Sequence, residues 1–151
     1  MSEKISREKE FHNQSFTDAR RNSLRRMYMN LSRSTDDQLQ YVLERCYGKR
    51  LLDYGCGIFD LSYRFVENGA EVVGIDISEV AIRKQLEFAA LHGISDHSSF
   101  KVMNAEALEF PADSFDIVYG SGILHHLDLD KSYHEINRVP VSYTHLTLPT
   151  N

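Results

Sequence analysis

The stretch Leu51-Leu52-Asp53-Tyr54-Gly55-Cys56-Gly57 constrains this chain more than any other. Two apolar residues and a strand-end acid run into a pair of glycines, the residues that accept positive φ or let backbone come close to a ligand. Just beyond, Asp60 opens a segment in which Leu61, Phe65 and Val66 share one helical face, and Asn68-Gly69 ends it. Strand, glycine turn and helix in that order form a nucleotide-binding beginning. Gly-x-Gly also occurs in turns that bind nothing, so the context carries the argument. A second strand, Glu71-Val72-Val73-Gly74-Ile75-Asp76, ends in an acid at the distance where a βαβ unit places a ribose partner.

The remaining pattern supplies the rest of such a fold. Thr35-Asp36-Asp37-Gln38 has the form of a capping box, and Leu39, Val42, Leu43, Cys46 and Tyr47 follow at helical spacing up to Gly48. Ser78 is placed to cap a helix bearing Ala81, Ile82, Leu86, Ala89 and Ala90 and closed by His92-Gly93. A third strand is expected over Phe100–Met103 and a fourth over Phe115–Gly120, with a last helix from about Asp130 carrying Tyr133, Ile136 and Val139. Strands alternating with helices predict a Rossmann-like, doubly wound parallel sheet whose strands all end on one edge. Gly55, Gly57, Asp76, Asn104 and Ser121 each follow a strand, so the fold gathers them in one crevice.

Composition bounds the function classes. With 151 residues, 42% of them hydrophobic, the chain holds one domain. No run approaches the roughly 18 apolar residues of a membrane span, and the charged N-terminus is unlike a signal peptide; a cytoplasmic protein without membrane association is expected. Cys46 and Cys56 are too few for a disulfide framework, no metal cluster is legible, and Cys56 reads as a small residue filling a tight turn. Residues 1–50 carry 11 Lys+Arg against 7 Asp+Glu, the remainder 6 against 15. The basic group Arg20, Arg21, Arg25 and Arg26 reads as a solvated helix face, so no nucleic-acid partner is expected.

A dinucleotide would need a third glycine at the sixth position of G-x-G-x-x-G, where this chain has Asp60. A carboxylate there repels a diphosphate and tolerates a sulfonium, which favours S-adenosylmethionine over NAD. An NAD(P)-dependent dehydrogenase and a non-catalytic cofactor-binding module stay open as alternatives.

With these residues assembled, the chain resembles the class I S-adenosylmethionine-dependent methyltransferases of small molecules, from about Gly48 to Val139. Leu51 to Gly57 is similar to the family's first motif, Val73-Gly74-Ile75-Asp76-Ile77-Ser78 to its second, and Asn104-Ala105-Glu106 with Ser114-Phe115-Asp116 to its third and fourth. Leu124-His125-His126-Leu127 and Glu135-Ile136-Asn137-Arg138-Val139 continue the likeness. The resemblance implies that Gly55 and Gly57 approach the methionine part of the cofactor, with Asp53 near its amino group. It further implies Asp76, beside Ile77, on the ribose and Asn104 with Ala105 at the adenine, while Ser121 completes the edge. Asn104 stands where the family has an acid, and Phe59 replaces a third glycine. His125 is the candidate general base or substrate contact, with His126 expected to be structural and Arg33 a more remote candidate for the cofactor carboxylate.

The resemblance also implies a division into an N-terminal helical cap at 1–47, a partial cofactor-binding domain at 48–140 and a separate tail at 141–151. That tail, Val141 to Asn151, resembles the translation of a sequencing-library adapter, which excludes it from fold reasoning. The family's sheet has seven strands, and the expectation is a chain that stops after the fourth. Such a fragment would be doubtful as an enzyme and prone to self-association through an uncovered fourth strand.

Overall fold

The computed structural model describes residues 3–17, 33–58, 60–141 and 144–147. Phe59, the four-arginine group and the side chain of Arg33 lie outside what is described. Five parallel strands, β1 (Arg50–Tyr54), β2 (Glu71–Asp76), β3 (Ser98–Val102), β4 (Ile117–Ser121) and β5 (Thr144–Thr147), form one sheet in the order β3-β2-β1-β4-β5. The helices are α1 (Glu3–Thr17), α2 (Arg33–Leu43), α3 (Leu61–Glu67), α4 (Glu79–His92) and α5 (Leu129–Arg138), with a single 3₁₀ turn at Leu124–His126. This is the doubly wound, Rossmann-like α/β arrangement expected from the alternation of strands and helices.

Period-two burial in β1 distributes its side chains between two cores. Leu51 joins Val42, Cys46, Phe65, Val72 and Tyr119 on the face covered by α2 and α3. Leu52 and Tyr54 point the other way, into a cluster with Val73, Ile75, Phe115, Leu124, Ile136 and Val139. Cys56 packs with Ile82, Ala89, Ile94 and Phe100 under α4, so it does fill the turn as a small buried residue. A Cβ on Gly74 would sit 2.5 Å from the Phe100 ring, which explains a glycine inside a strand.

Several element boundaries differ from the sequence reading. Helix α2 starts at Arg33, so Thr35 to Gln38 lie inside its first turns and not at its cap; nothing in 33–36 is a helix breaker. It stops at Leu43, which puts Tyr47 out of helical phase and 82% exposed, with its ring lying over Gly69. Helix α4 turns Ala81, Ile82, Gln85 and Ala89 inward and leaves Leu86 and Ala90 outside. Strand β3 begins two residues early because Ser98 pairs with Val72, and Met103 follows it while still donating to the Asp76 carbonyl at 3.0 Å. Strand β4 starts at Ile117, since Phe115 bridges Pro140 instead. In α5, Ser132, Glu135 and Ile136 are buried, and Tyr133 is exposed.

The largest difference concerns the tail. Residues 144–147 form β5, which pairs with the outer edge of β4 from Val118↔Thr144 to Ser121↔Thr147. The fourth strand is therefore not the uncovered edge. A short run of threonine and leucine suits a pleated strand, and the backbone groups along β4 supply the template.

Candidate functional site

Strand order reverses between β1 and β4, and the crevice opens at the carboxyl ends of these strands, the position where open α/β sheets bind ligands. Its floor is the glycine turn. The N–H groups of Gly55 and Cys56 both donate to the Ile75 carbonyl, at 3.0 and 2.8 Å, so the turn is tied to β2 as the chain leaves β1. Gly55 has φ +80°, and a Cβ there would lie 2.3 Å from Ile123 Cδ1. From below, the buried Gln85 of α4 donates to the Gly57 carbonyl at 3.1 Å.

At the end of β2, Asp76 clamps the turn from the side. Its Oδ2 accepts from the Gly57 N–H at 3.0 Å and its Oδ1 from the Ser78 N–H at 2.8 Å. These two bonds hold the carboxylate in place at the edge of the crevice. Ser78 Oγ caps α4 by accepting from the Ala81 N–H at 3.2 Å.

A second wall comes from the segment after β3. Asn104 Oδ1 accepts from the Glu106 N–H at 3.0 Å, closing a local turn, and its second lone pair is left for a ligand donor. Tyr54, buried in the core, donates its hydroxyl to the Ala105 carbonyl at 2.6 Å. The Glu135–Arg138 pair of α5 braces the same segment. Glu135 Oε2 accepts from the Leu108 N–H at 2.8 Å, while Arg138 donates to the Leu108 and Phe110 carbonyls at 3.0 and 2.6 Å and to Glu135 at 2.6 Å. Arg138 holds the Glu135 carboxyl below its ordinary range against the opposing effect of burial.

Gly55, Gly57, Asp76, Ile77, Asn104, Ala105 and Ser121 line the crevice together. Asp53 does not; it is 2% exposed beneath the turn, where Ser62 Oγ of α3 donates to its Oδ2 at 2.6 Å. Burial pushes its pKa up to about 7, with the Ser62 bond opposing and the nearby Asp76 charge adding to the rise. Of the histidine pair, His125 is exposed and outside the lining, whereas His126 faces the crevice. The two rings pack together, with centroids 3.8 Å apart, and His126 is the one that lines the crevice.

A helical cap at 1–47 is expected from the sequence, but the side chains it brings to the site are not. Helix α1 lies over the crevice mouth and contributes Ile5, Glu8 and His12 to the lining. It is tied to α4 by Lys9 Nζ on Glu79 at 2.5 Å and by Ser78 Oγ donating to Asn13 Oδ1 at 2.6 Å. The i, i+4 spacing of Glu8 and His12, which puts both on one helix face, was the available signal. Among the described residues the lining carries three carboxylates, Glu8, Asp76 and Glu106, and no Lys or Arg.

Comparison with known proteins agrees with this architecture. Residues 47–147 match the family described as a methyltransferase domain. A sterol 24-C-methyltransferase of Gibberella zeae is 34% identical over 94 residues, covering 61% of this chain and 25% of that protein. A ubiquinone biosynthesis O-methyltransferase of Hahella chejuensis is 38% identical over 95 residues, covering 60% of this chain and 38% of that protein. The crystal structure of the YcgJ protein from Bacillus subtilis superposes with a TM-score of 0.64 at 29% identity, over 70% of this chain and 46% of that one. The chain belongs to the methyltransferase-domain family, in the class I S-adenosylmethionine-dependent group that its motifs resemble. It spans between a quarter and just under half of the length of these relatives.

Proposed function

We propose that the intact protein transfers a methyl group from S-adenosylmethionine to a small-molecule acceptor. The observation that carries this reading is the crevice itself, with a glycine cradle, a strand-end Asp76 and carboxylates without a Lys or Arg among the described lining residues. A sulfonium ligand with an ammonium group suits such a field, whereas the diphosphate of NAD would be repelled by it. The cradle fits as well, since any side chain at Gly55 would collide with Ile123.

When bound, the cofactor supplies the methyl electrophile, and displacement leaves S-adenosylhomocysteine and a methylated acceptor. The chain's own residues position and exclude water. Asp76 receives the ribose hydroxyls, Asn104 and the Ala105 backbone hold the adenine, and Gly55 and Gly57 admit the methionine part. Asp53 attracts the amino group electrostatically from below the turn, and Ser121 and Ile77 shape the two ends of the edge. His126, which lines the crevice, contacts the acceptor in place of the exposed His125.

Acceptor chemistry is left open by the relatives, whose names include a sterol carbon methyltransferase and an oxygen methyltransferase. Work on a free small molecule in the cytoplasm, without nucleic acid, is in keeping with the acidic crevice; no helix among the described residues is long and apolar enough to cross a membrane. A strand edge for self-association is offered by β5 and by β3, the two outer strands of the described sheet.

Calorimetric titration of the full-length protein with S-adenosylhomocysteine and with NADH tests the reading. Binding of the first is expected, weakened by about 1–3 kcal/mol in Asp76→Ala through the loss of charged hydrogen bonds. Binding of NADH alone would refute it.

A further inference from the structure

Three side chains at the junction of cover and crevice have not yet been given a joint role. Glu8 and His12 face inward from α1, and His126 meets them from the turn after β4. One ligand atom from each lies within 4.8 Å of the others. His12 Nε2 is 3.6 Å from Glu8 Oε2, and His126 Nδ1 is 3.8 Å from the same oxygen. Both separations exceed a normal hydrogen bond, so neither imidazole is placed for a direct bond to that carboxylate oxygen.

An ion explains the spacing. Two ligand atoms that each sit about 2.0–2.1 Å from a shared zinc-sized ion lie about 3.3–4.2 Å apart as the angle between them opens from tetrahedral to linear. The two measured separations fall inside that interval without movement. With those two separations kept, the nitrogen–nitrogen distance, at most 4.8 Å, has to close to about 3.5 Å so that all three atoms reach one ion, a movement of up to about 1.3 Å that a change of ring rotamer supplies.

Ligand type and surroundings agree with the geometry. Two imidazoles and one carboxylate suit zinc and the neighbouring divalent transition metals and leave coordination positions open for a further oxygen or nitrogen. The side chains are partly enclosed, at 15% exposure for His12, 30% for His126 and 35% for Glu8, which strengthens attraction to a cation while keeping an entry path. Ring packing orients the ligands: His12 meets His126 edge-on with centroids 5.0 Å apart, and the His125 ring centroid lies 3.8 Å from that of His126. Among the described residues lining the crevice, no lysine or arginine competes for the carboxylate.

We propose that Glu8, His12 and His126 form a binding site for a divalent transition metal that pins α1 over the crevice. Its open positions face the space in which the methyl acceptor would sit, and this part rests on the methyl-transfer reading. The class of acceptor it selects is a molecule with a metal-binding hydroxyl or enol oxygen. On the metal that oxygen loses its proton more readily, as metal-bound water does, before it attacks the methyl carbon. The proton leaves to solvent, the carbon–sulfur bond breaks, and the ether and the thioether are the products.

Cobalt(II) titration of the chelator-treated full chain, followed by visible absorption, tests the site directly. One saturable equivalent is expected, with affinity reduced about 100-fold or more in each of Glu8→Gln, His12→Ala and His126→Ala, since even supporting partners of metal ligands cost about 10–100-fold. His125→Ala should retain binding. Paramagnetic broadening of the His12 and His126 ring protons in the unaltered protein provides the same answer if a variant fails to fold. Absence of a one-to-one site, binding that survives all three substitutions, or unbroadened His12 and His126 signals at saturation would overturn the proposal. Titration with S-adenosylhomocysteine in parallel separates the two ideas: S-adenosylhomocysteine binding with no cobalt site defeats only the metal site, and a cobalt site with no S-adenosylhomocysteine binding defeats only the methyl-transfer reading.

Discussion

The floor of the crevice and its cover are held by different kinds of interaction. Gly55, Cys56 and Gly57 are fixed by backbone and carboxylate bonds to β2 and by a buried glutamine, all continuous with the parallel ladder. Helix α1 is held across the mouth by contacts between polar side chains, Lys9 to Glu79 and Asn13 to Ser78, with Glu79 largely exposed. A floor built this way is preorganised for a ligand, at the cost of burying Asp53. A cover tied, among the described residues, through side chains and not through a backbone ladder belongs to the low-stability end of the molecule and can open to admit one.

Changing the charge beneath the floor should have the largest effect. The folded pKa of Asp53 is raised to about 7 from 3.8, so its favourable contribution to stability is complete below pH 3.8 and is lost as pH rises to about 7. Between those limits the unfolded state binds fewer protons, and the ligand-free protein should lose on the order of 3–4 kcal/mol. Asp53→Asn keeps an acceptor for Ser62 and should flatten this loss, as urea unfolding at pH 4, 5, 6, 7 and 8 would read. Parallel curves for the two proteins would show that Asp53 is not buried as described.

Removing the brace of the second wall comes next. Arg138→Ala leaves the Glu135 carboxylate buried without its cation and should cost about 2–3 kcal/mol, discounted for the partial exposure of Arg138. Equilibrium unfolding measures it, and a loss below about 0.5 kcal/mol would place the pair among ordinary surface ion pairs. Gly55→Ala forces a side chain into positive φ and toward Ile123, for about 1–3 kcal/mol of stability. Cofactor affinity should fall with it, and unchanged affinity would detach the glycine turn from the ligand.

The smallest global effect is expected in the cover. Lys9→Ala breaks a pair whose partner is exposed and should leave the global unfolding free energy nearly unchanged. Hydrogen exchange in α1 should nevertheless rise while β1 and β2 keep their protection. Equal loss of protection in α1 and the sheet would mean that both belong to one cooperative unit, and the contrast between floor and cover would fail.

Much of the floor was legible in the chain because its determinants are local. The apolar run before Gly55, the acid ending at Asp76 and the cap at Ser78 each write their role within a few residues, and parallel βαβ geometry then brings the strand ends together. Boundaries were less legible where pairing partners decide them: β3 starts at Ser98 because Val72 is its neighbour, and Phe115 leaves β4 for Pro140. Nothing local marks Gln85 as the support of the turn, since a glutamine at a helical position is usually solvated.

What the sequence by itself determined is therefore the doubly wound class, the glycine turn, the strand-end acid and the family, since these depend on residue type and short spacing. Tertiary structure alone decided that Asp53 is buried under the turn, that His126 and not His125 faces the crevice, and that β5 covers β4. It also decided that Glu8 and His12 meet His126. The physical reason is one of distance along the chain: a helical turn sets which neighbours share a face, but only packing determines what that face meets.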